Sequence, residues 1–395
     1  CALSKALLRA GVRKGDRVAM LVSSRPEFYV ALLATVDIGA IWLGLHPRYM
    51  LPEFRHVLAE AQPKVLLAFG SIDGRTYHRE LKVLHDEFEC IEHLVAYDDV
   101  FHGAQALSDF IDDGTEISDA DLQAARESVE ARDNAVIIFT SGSTGAPKGA
   151  LLSHASLVGG GRMQESHWPS ASMRLLQTMP PNHIACIGMS TAHALVCGGT
   201  IVFMDQFDSG ALLDVIENER ITFLPHAPAM FNLMVNEEGF EQRDLSSIEY
   251  LIWAGAPMMQ NLIKRLQALD AHLGTAFGMT ELGAYVSFSD RDASYDVLAQ
   301  SIGRPEPGYD LRLADARGNL VEPGNDGEIQ ARGDWLMNGY FNHPDLTQAA
   351  FTPDGWFRTG DIAVQREDGN WTLVGRLKEM FKSGGYNVYP REVEI

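Results

Sequence analysis

Residues 139–149 read F-T-S-G-S-T-G-A-P-K-G, and this stretch gathers a chemistry that few other segments of the chain offer. Thr140, Ser141, Ser143 and Thr144 supply short hydroxyl donors, while Gly142, Gly145 and Gly149 let backbone N–H groups turn toward an anion. Lys148 adds one compact positive charge. An apolar, β-branched run at 135–139 leads directly into the segment, so the sequence predicts a polyphosphate cradle at the end of a strand. The order is not that of the G-x-x-x-x-G-K-[ST] loop, because Lys148 is preceded by Pro147 and followed by Gly149.

The elements that must position this loop alternate in type. Apolar runs at 18–22, 65–69, 136–139, 201–204, 221–224 and 250–253 read as buried strands. Segments 28–38, 51–60, 209–219, 227–236 and 257–269 carry helical periodicity. Such alternation predicts an α/β fold of doubly wound parallel sheets. The acidic stretch 110–133 lacks a sustained apolar stripe and reads as a solvated connector with a surface helix. Beyond about residue 303, short alternating segments (309–313, 328–332, 370–374) separated by Gly, Pro and Asp predict antiparallel sheet.

Bulk composition narrows the function. The chain has 395 residues, 46% hydrophobic and 22% charged, as in an ordinary globular enzyme. A net charge of −21 leaves no basic face for nucleic acid. The four cysteines (Cys1, Cys90, Cys186, Cys197) form neither a metal-ligand spacing nor a disulfide framework, which fits a reducing cytoplasm. The uncharged run 184–204 contains His193 and the Gly198–Gly199 pair, so it reads as buried helix, glycine turn and buried strand, with no transmembrane segment. His46, His154, His193 and His226 show no H-x-x-H or H-E-x-x-H spacing, read as structural or surface groups, and predict no zinc.

The 139–149 segment resembles the phosphate-binding motif of the adenylate-forming superfamily, which includes acyl-CoA synthetases, peptide-synthetase adenylation domains and luciferases. Three further motifs follow in order: F-G-M-T-E at 277–281, W-F-x-T-G-D at 356–361, and G-R-L-K-E-M-F-K-S-G-G-Y-N-V-Y-P-R-E at 375–392. The resemblance implies a large N-terminal domain of doubly wound sheets (1–300) carrying the ATP and acyl sites. A distorted antiparallel barrel (301–377) would follow, then a hinge and first strand of a small C-terminal domain (378–395). Because the chain opens on Cys1 inside a helical pattern and stops at Ile395, it is expected to lack family segments at both ends. The family's C-terminal catalytic lysine would lie beyond Ile395, so these residues alone are expected to bind nucleotide better than they turn it over.

The resemblance also implies roles. Lys148 and the 140–145 donors would hold the β- and γ-phosphates, Thr280 the α-phosphate, and Glu281 with Thr144 a Mg2+ ion. Phe277, with Gly278 and Met279, would stack on adenine without the phenol more usual there. Asp361 would accept both ribose hydroxyls, and Arg376 would reach ribose or phosphate. Lys378 falls at the family hinge, while Lys382, Gly384 and Gly385 would approach the coenzyme A arm. His183 would sit near the acyl site, though Asn182 replaces a common aromatic. Trp253 and Ala254, with Gly255, Ala256 and Pro257, would line the acyl and adenine pocket. The Phe-Asp pair that grips an α-ammonium is missing, which disfavours a free amino acid. The implied partners are ATP, Mg2+, coenzyme A and a fatty or aryl carboxylic acid, and a homodimer is compatible. A luciferase-like oxygenase, a carrier-protein-loading enzyme and a non-catalytic nucleotide-binding module share these motifs.

Overall fold

The computed structural model describes residues 1–101, 103–140 and 147–379, together with the backbone of the short strands Phe381–Ser383 and Tyr386–Val388. Three main sheets organise these residues. The first runs Gly339–Tyr340, Lys148–Ser153, Asn134–Thr140, Ile41–Leu45, Arg17–Leu21, Val65–Ala68, His93–Ala96, Gln105–Ala106 across its width. From Asn134–Thr140 to Gln105–Ala106 every neighbour is parallel, and the two strands at the other edge are antiparallel.

The second sheet is ordered Thr200–Phe203, Arg174–Gln177, Phe223–His226, Tyr250–Trp253, His272–Gly278, Tyr285–Phe288, Arg304–Pro305. It is parallel through His272–Gly278, then turns antiparallel. Side chains alternate across a strand, and here the alternation separates two cores. Leu175, Phe223, Tyr250 and Ile252 enter the main core, whereas Leu176, Leu224, Leu251 and Trp253 enter a second core beneath the helices Ser209–Glu219, Pro228–Val235 and Gln260–Leu266. Both faces of the strands are therefore apolar, which explains their continuous hydrophobic runs. A third, antiparallel sheet pairs Asp310–Ala314, Asp326–Arg332, Phe357–Gln365 and Trp371–Arg376 in that order. Among the described residues no helix is long and apolar enough to cross a membrane.

Most expected elements are present with ends shifted by a residue or two, and three differences have physical causes. The strand Ile41–Leu45 was not anticipated, because Gly44 interrupts it. A Cβ there would lie 3.0 Å from the backbone of Asn182, so the glycine lets the segment carrying His183 pack against the sheet. The 201–204 run forms a strand, Thr200–Phe203, but at a sheet edge and only half-buried. The 257–269 helix begins only at Gln260, since residues 255–257 form an exposed turn with Gly255 at φ +82°.

Candidate active site

The two strands that flank residues 141–146 are neighbours in the first sheet. Asn134–Thr140 pairs antiparallel with Lys148–Ser153, placing Thr140 opposite Lys148. Ser141, Gly142, Ser143, Thr144 and Gly145 lie outside the described residues. The Pro147 carbonyl lies 2.9 Å from His56 Nε2. The Lys148 ammonium lies 5.3 Å from the centroid of the Tyr340 ring, an arrangement in which the ring's negative face attracts the cation.

Tyr340 reaches Lys148 because Gly339–Tyr340 adds to this strand pair as an edge strand, with Gly339 opposite Leu151 and Tyr340 opposite Ala150. Its hydroxyl donates to Glu281 Oε1 at 2.9 Å. Burial, reinforced by the Glu281 charge and this hydrogen bond, raises the phenol's pKa well above its ordinary value, so the group stays a donor. Glu281 itself is 7% exposed, on the single turn Thr280–Leu282 that also carries the buried Thr280. Two backbone features hold that turn in place. The Met337 N–H donates to the Glu281 carbonyl at 2.9 Å, and a register shift between Phe277 and Gly278 redirects the preceding strand.

At Gly278 a Cβ would meet the Ala284 carbonyl oxygen at 2.1 Å. Gly278→Ala is accordingly expected to cost about 2 kcal/mol of stability, in line with overpacking of a fixed backbone, read from the denaturant midpoint. Lys148, Tyr340 and Glu281 thus form one contact chain spanning two motifs. Tyr340→Phe keeps the ring under Lys148 but removes the hydrogen bond. It is expected to slow acid activation about ten- to a hundredfold, the worth of one charge-assisted hydrogen bond, while leaving nucleotide affinity unchanged; rate and affinity measured on the same preparation check this.

The third motif lies across the antiparallel sheet. Asp361 and Arg376 are register partners, with Arg376 Nε 3.1 Å from Asp361 Oδ1. Gly360, at φ +74°, turns the strand just before Asp361, and its N–H donates to Glu328 Oε1 at 3.2 Å. Asp361 is 3% exposed, whereas the Arg376 side chain is 64% exposed and able to swing toward a ligand. Burial pushes the Asp361 carboxyl up to about 6, Arg376 opposes that, and the charges of Glu379, Glu281 and Glu328 add to it.

The proposed acyl-side residues are distributed less tightly. His183 is exposed, yet desolvation by the surrounding protein lowers its pKa. Its Nδ1 accepts from the Ala185 N–H at 3.1 Å, so the neutral ring carries its proton on Nε2. Phe277 is 9% exposed at the end of its strand, with Met279 half-buried beyond it. Trp253 departs from its expected place: at 1% exposure it is packed in the second core, because strand alternation turns it away from the main core. Of that stretch, Ala254 is half-buried and Gly255, Ala256 and Pro257 are exposed. The Lys382 side chain, Gly384 and Gly385 lie outside the described residues. Tyr340 and the buried Glu328 were missed by sequence reasoning, and only the Gly339–Tyr340 pair in a turn-rich stretch marked the former.

Comparison with known proteins finds relatives along essentially the whole chain. A family model described as "AMP-binding enzyme" matches residues 1–341. Feruloyl-CoA synthase of Amycolatopsis sp. is 33% identical over 398 residues, covering 99% of this chain and 74% of that protein. Indoleacetate–CoA ligase of Aromatoleum aromaticum is 34% identical over 397 residues, with the same 99% and 74% coverage. Among solved structures, ATP-bound MatB from Rhodopseudomonas palustris superposes with a TM-score of 0.86 at 26% identity, covering 100% of this chain and 76% of that one.

Proposed function

The chain belongs to the AMP-binding enzyme family, as an ATP-dependent acid–CoA ligase, and from that premise we propose that Lys148, Tyr340, Glu281 and Asp361 form its adenylating centre. The reaction joins a carboxylic acid to AMP with release of pyrophosphate, then passes the acyl group to coenzyme A. The observation that carries the site assignment is the contact chain from the Lys148 ammonium through the Tyr340 ring and hydroxyl to Glu281.

Transfer at phosphorus asks little covalent help of a protein; it asks for alignment and charge neutralisation. Lys148 supplies a cation beside the polyphosphate, held against Tyr340 and so kept from collapsing onto Glu281. Glu281 fits a Mg2+ ion: it is a buried carboxylate with one oxygen committed to Tyr340 and the other accepting no hydrogen bond from a described residue. When bound, that ion would supply neutralisation of the leaving phosphates. Asp361 accepts the ribose hydroxyls, and Arg376 closes over the nucleotide. On the family resemblance we assign residues 1–300 to the part that carries the two large sheets, 301–377 to an antiparallel part that also lends them the edge strands Arg304–Pro305 and Gly339–Tyr340, and 378–395 to the hinge and first strand of a C-terminal domain.

For the acid we favour an aryl side chain. Two relatives that share a third of this chain's residues are named for arylalkenoic and arylacetic acids. The small residues Ala254 and Gly255 leave room for a ring, with nothing within 4 Å of where a Gly255 Cβ would stand, and His183 offers Nε2–H as a donor. The test is ATP–pyrophosphate exchange across arylalkenoic, arylacetic and medium-chain acids. Stimulation greatest with an aryl acid is the expected result; preference for the medium-chain acid would replace this reading of the substrate. ATP binding without exchange for any acid would instead favour a nucleotide-binding module.

A further inference from the structure

Away from the nucleotide motifs, Glu165, His193 and Cys197 bring one carboxylate oxygen, one ring nitrogen and one sulfur within 4.8 Å of one another. His193 and Cys197 are four residues apart on the segment Ala192–Val196 and its C-cap, so they share one helical face. Glu165 faces them from the helix His154–His167. The two helices approach closely because Gly161 has no side chain: a Cβ there would lie 2.7 Å from the Ala192 carbonyl oxygen.

The arrangement is unsatisfied as it stands. His193 is fully buried, and neither of its ring nitrogens has a hydrogen-bond partner. A buried imidazole in that state forfeits the hydration of both nitrogens. Its Nε2 lies 3.7 Å from Glu165 Oε2, and Cys197 Sγ donates to the same oxygen at 2.5 Å. The ring packs edge-on to Phe223, which fixes its plane. Glu165 and Cys197 are partly exposed, giving an ion a way in.

We propose that Glu165, His193 and Cys197 bind a divalent, thiol-seeking cation of the zinc class, with water as the fourth ligand. The donor set is one sulfur, one imidazole nitrogen and one carboxylate oxygen, which suits a tetrahedral borderline-soft ion. Around such an ion the Cys197 sulfur and the Glu165 oxygen would move apart from their present 2.5 Å contact, with the ion between them. Binding releases the thiol proton to solvent as the metal–sulfur bond forms, and occupies one orphaned nitrogen of His193. The ion would pin the helix following the phosphate-loop strand to the segment that begins at His183. Local spacing gave no hint of it, since H-x-x-x-C on one helix is completed by Glu165, far upstream on another helix.

The test is titration of chelator-stripped protein with Co2+, followed by the near-ultraviolet thiolate-to-cobalt absorption and by displacement with Zn2+. One equivalent of cobalt with a thiolate band is expected. Cys197→Ser should abolish the band and weaken zinc by at least about a hundredfold, since loss of even an outer-shell partner costs about 10–100-fold. Glu165→Gln should weaken binding with the band retained. Both positions are partly exposed, so these variants should keep the fold, as far-UV circular dichroism will report. No thiolate band with folded protein, or a band unchanged in Cys197→Ser, would overturn the proposal.

Discussion

Glu281→Gln is expected to slow acid-dependent ATP–pyrophosphate exchange by about 100–1000-fold, the usual cost of removing one preorganised charge from a transition state. The substitution is close to isosteric, and a glutamine carbonyl can still accept from the Tyr340 hydroxyl, so the turn Thr280–Leu282 keeps its anchor. The Met337 N–H also bonds the backbone carbonyl at this position, which the change leaves intact. Folding stability should therefore barely move, and the loss should fall on the chemical step. Thermal melts beside exchange rates separate the two: equal melts with a large rate loss is the expected pair. A rate within threefold of the parent would mean that Glu281 is only a partner for Tyr340.

Asp361→Asn is expected to weaken adenosine binding by about a hundredfold, because two hydrogen bonds to a charged acceptor are worth about 1.5–3 kcal/mol each and an amide offers only one accepting group. Asp361 also predicts a pH dependence. Its carboxyl is raised to about 6 by burial, against the counter-effect of Arg376, so it is protonated in much of the free protein below that pH. Ribose capture needs the ionised form, so adenosine affinity should rise as pH climbs through about 6 and fall roughly tenfold by one unit below it. Stability of the free protein carries the opposite sign. A carboxyl raised in the folded state favours folding fully below its unfolded value and loses that contribution as pH rises through about 6. Adenosine is the right probe because, unlike AMP, it has no phosphate titrating nearby. Calorimetric titration from pH 5 to 8 on parent and Asp361→Asn checks this; a flat profile for the parent would remove Asp361 from the ribose site.

The parts of this molecule legible in its sequence are those written in adjacent residues. Apolar runs such as 18–22 and 250–253 declared themselves because both faces of those strands are buried, and the run before Lys148 because it is the strand Asn134–Thr140; its return strand Lys148–Ser153 was not anticipated. What escaped was set by partners distant in the chain. Gly44 broke an apolar run, and only the Asn182 backbone lying against it explains why a strand passes there. Trp253 was read as lining a pocket from its neighbours, yet strand alternation sends it to the second core. Tyr340 joins Lys148 to Glu281 only because an edge strand brings residue 340 beside residue 150. Periodicity and composition carry no record of such pairings.

Binding of a hydrolysis-resistant acyl-adenylate, with a sulfamate in place of the phosphate and an aryl acyl group, tests the central claim most directly. If Lys148, Glu281 and Asp361 border one volume shared by nucleotide and acid, this compound should bind at least about a hundredfold tighter than AMP or the free acid, since it holds both halves at once. Asp361→Asn should erode that affinity by the same factor as it erodes adenosine binding. An acyl-adenylate that binds no tighter than AMP would show that the site holds a nucleotide without joining it to an acid, and would contradict the account.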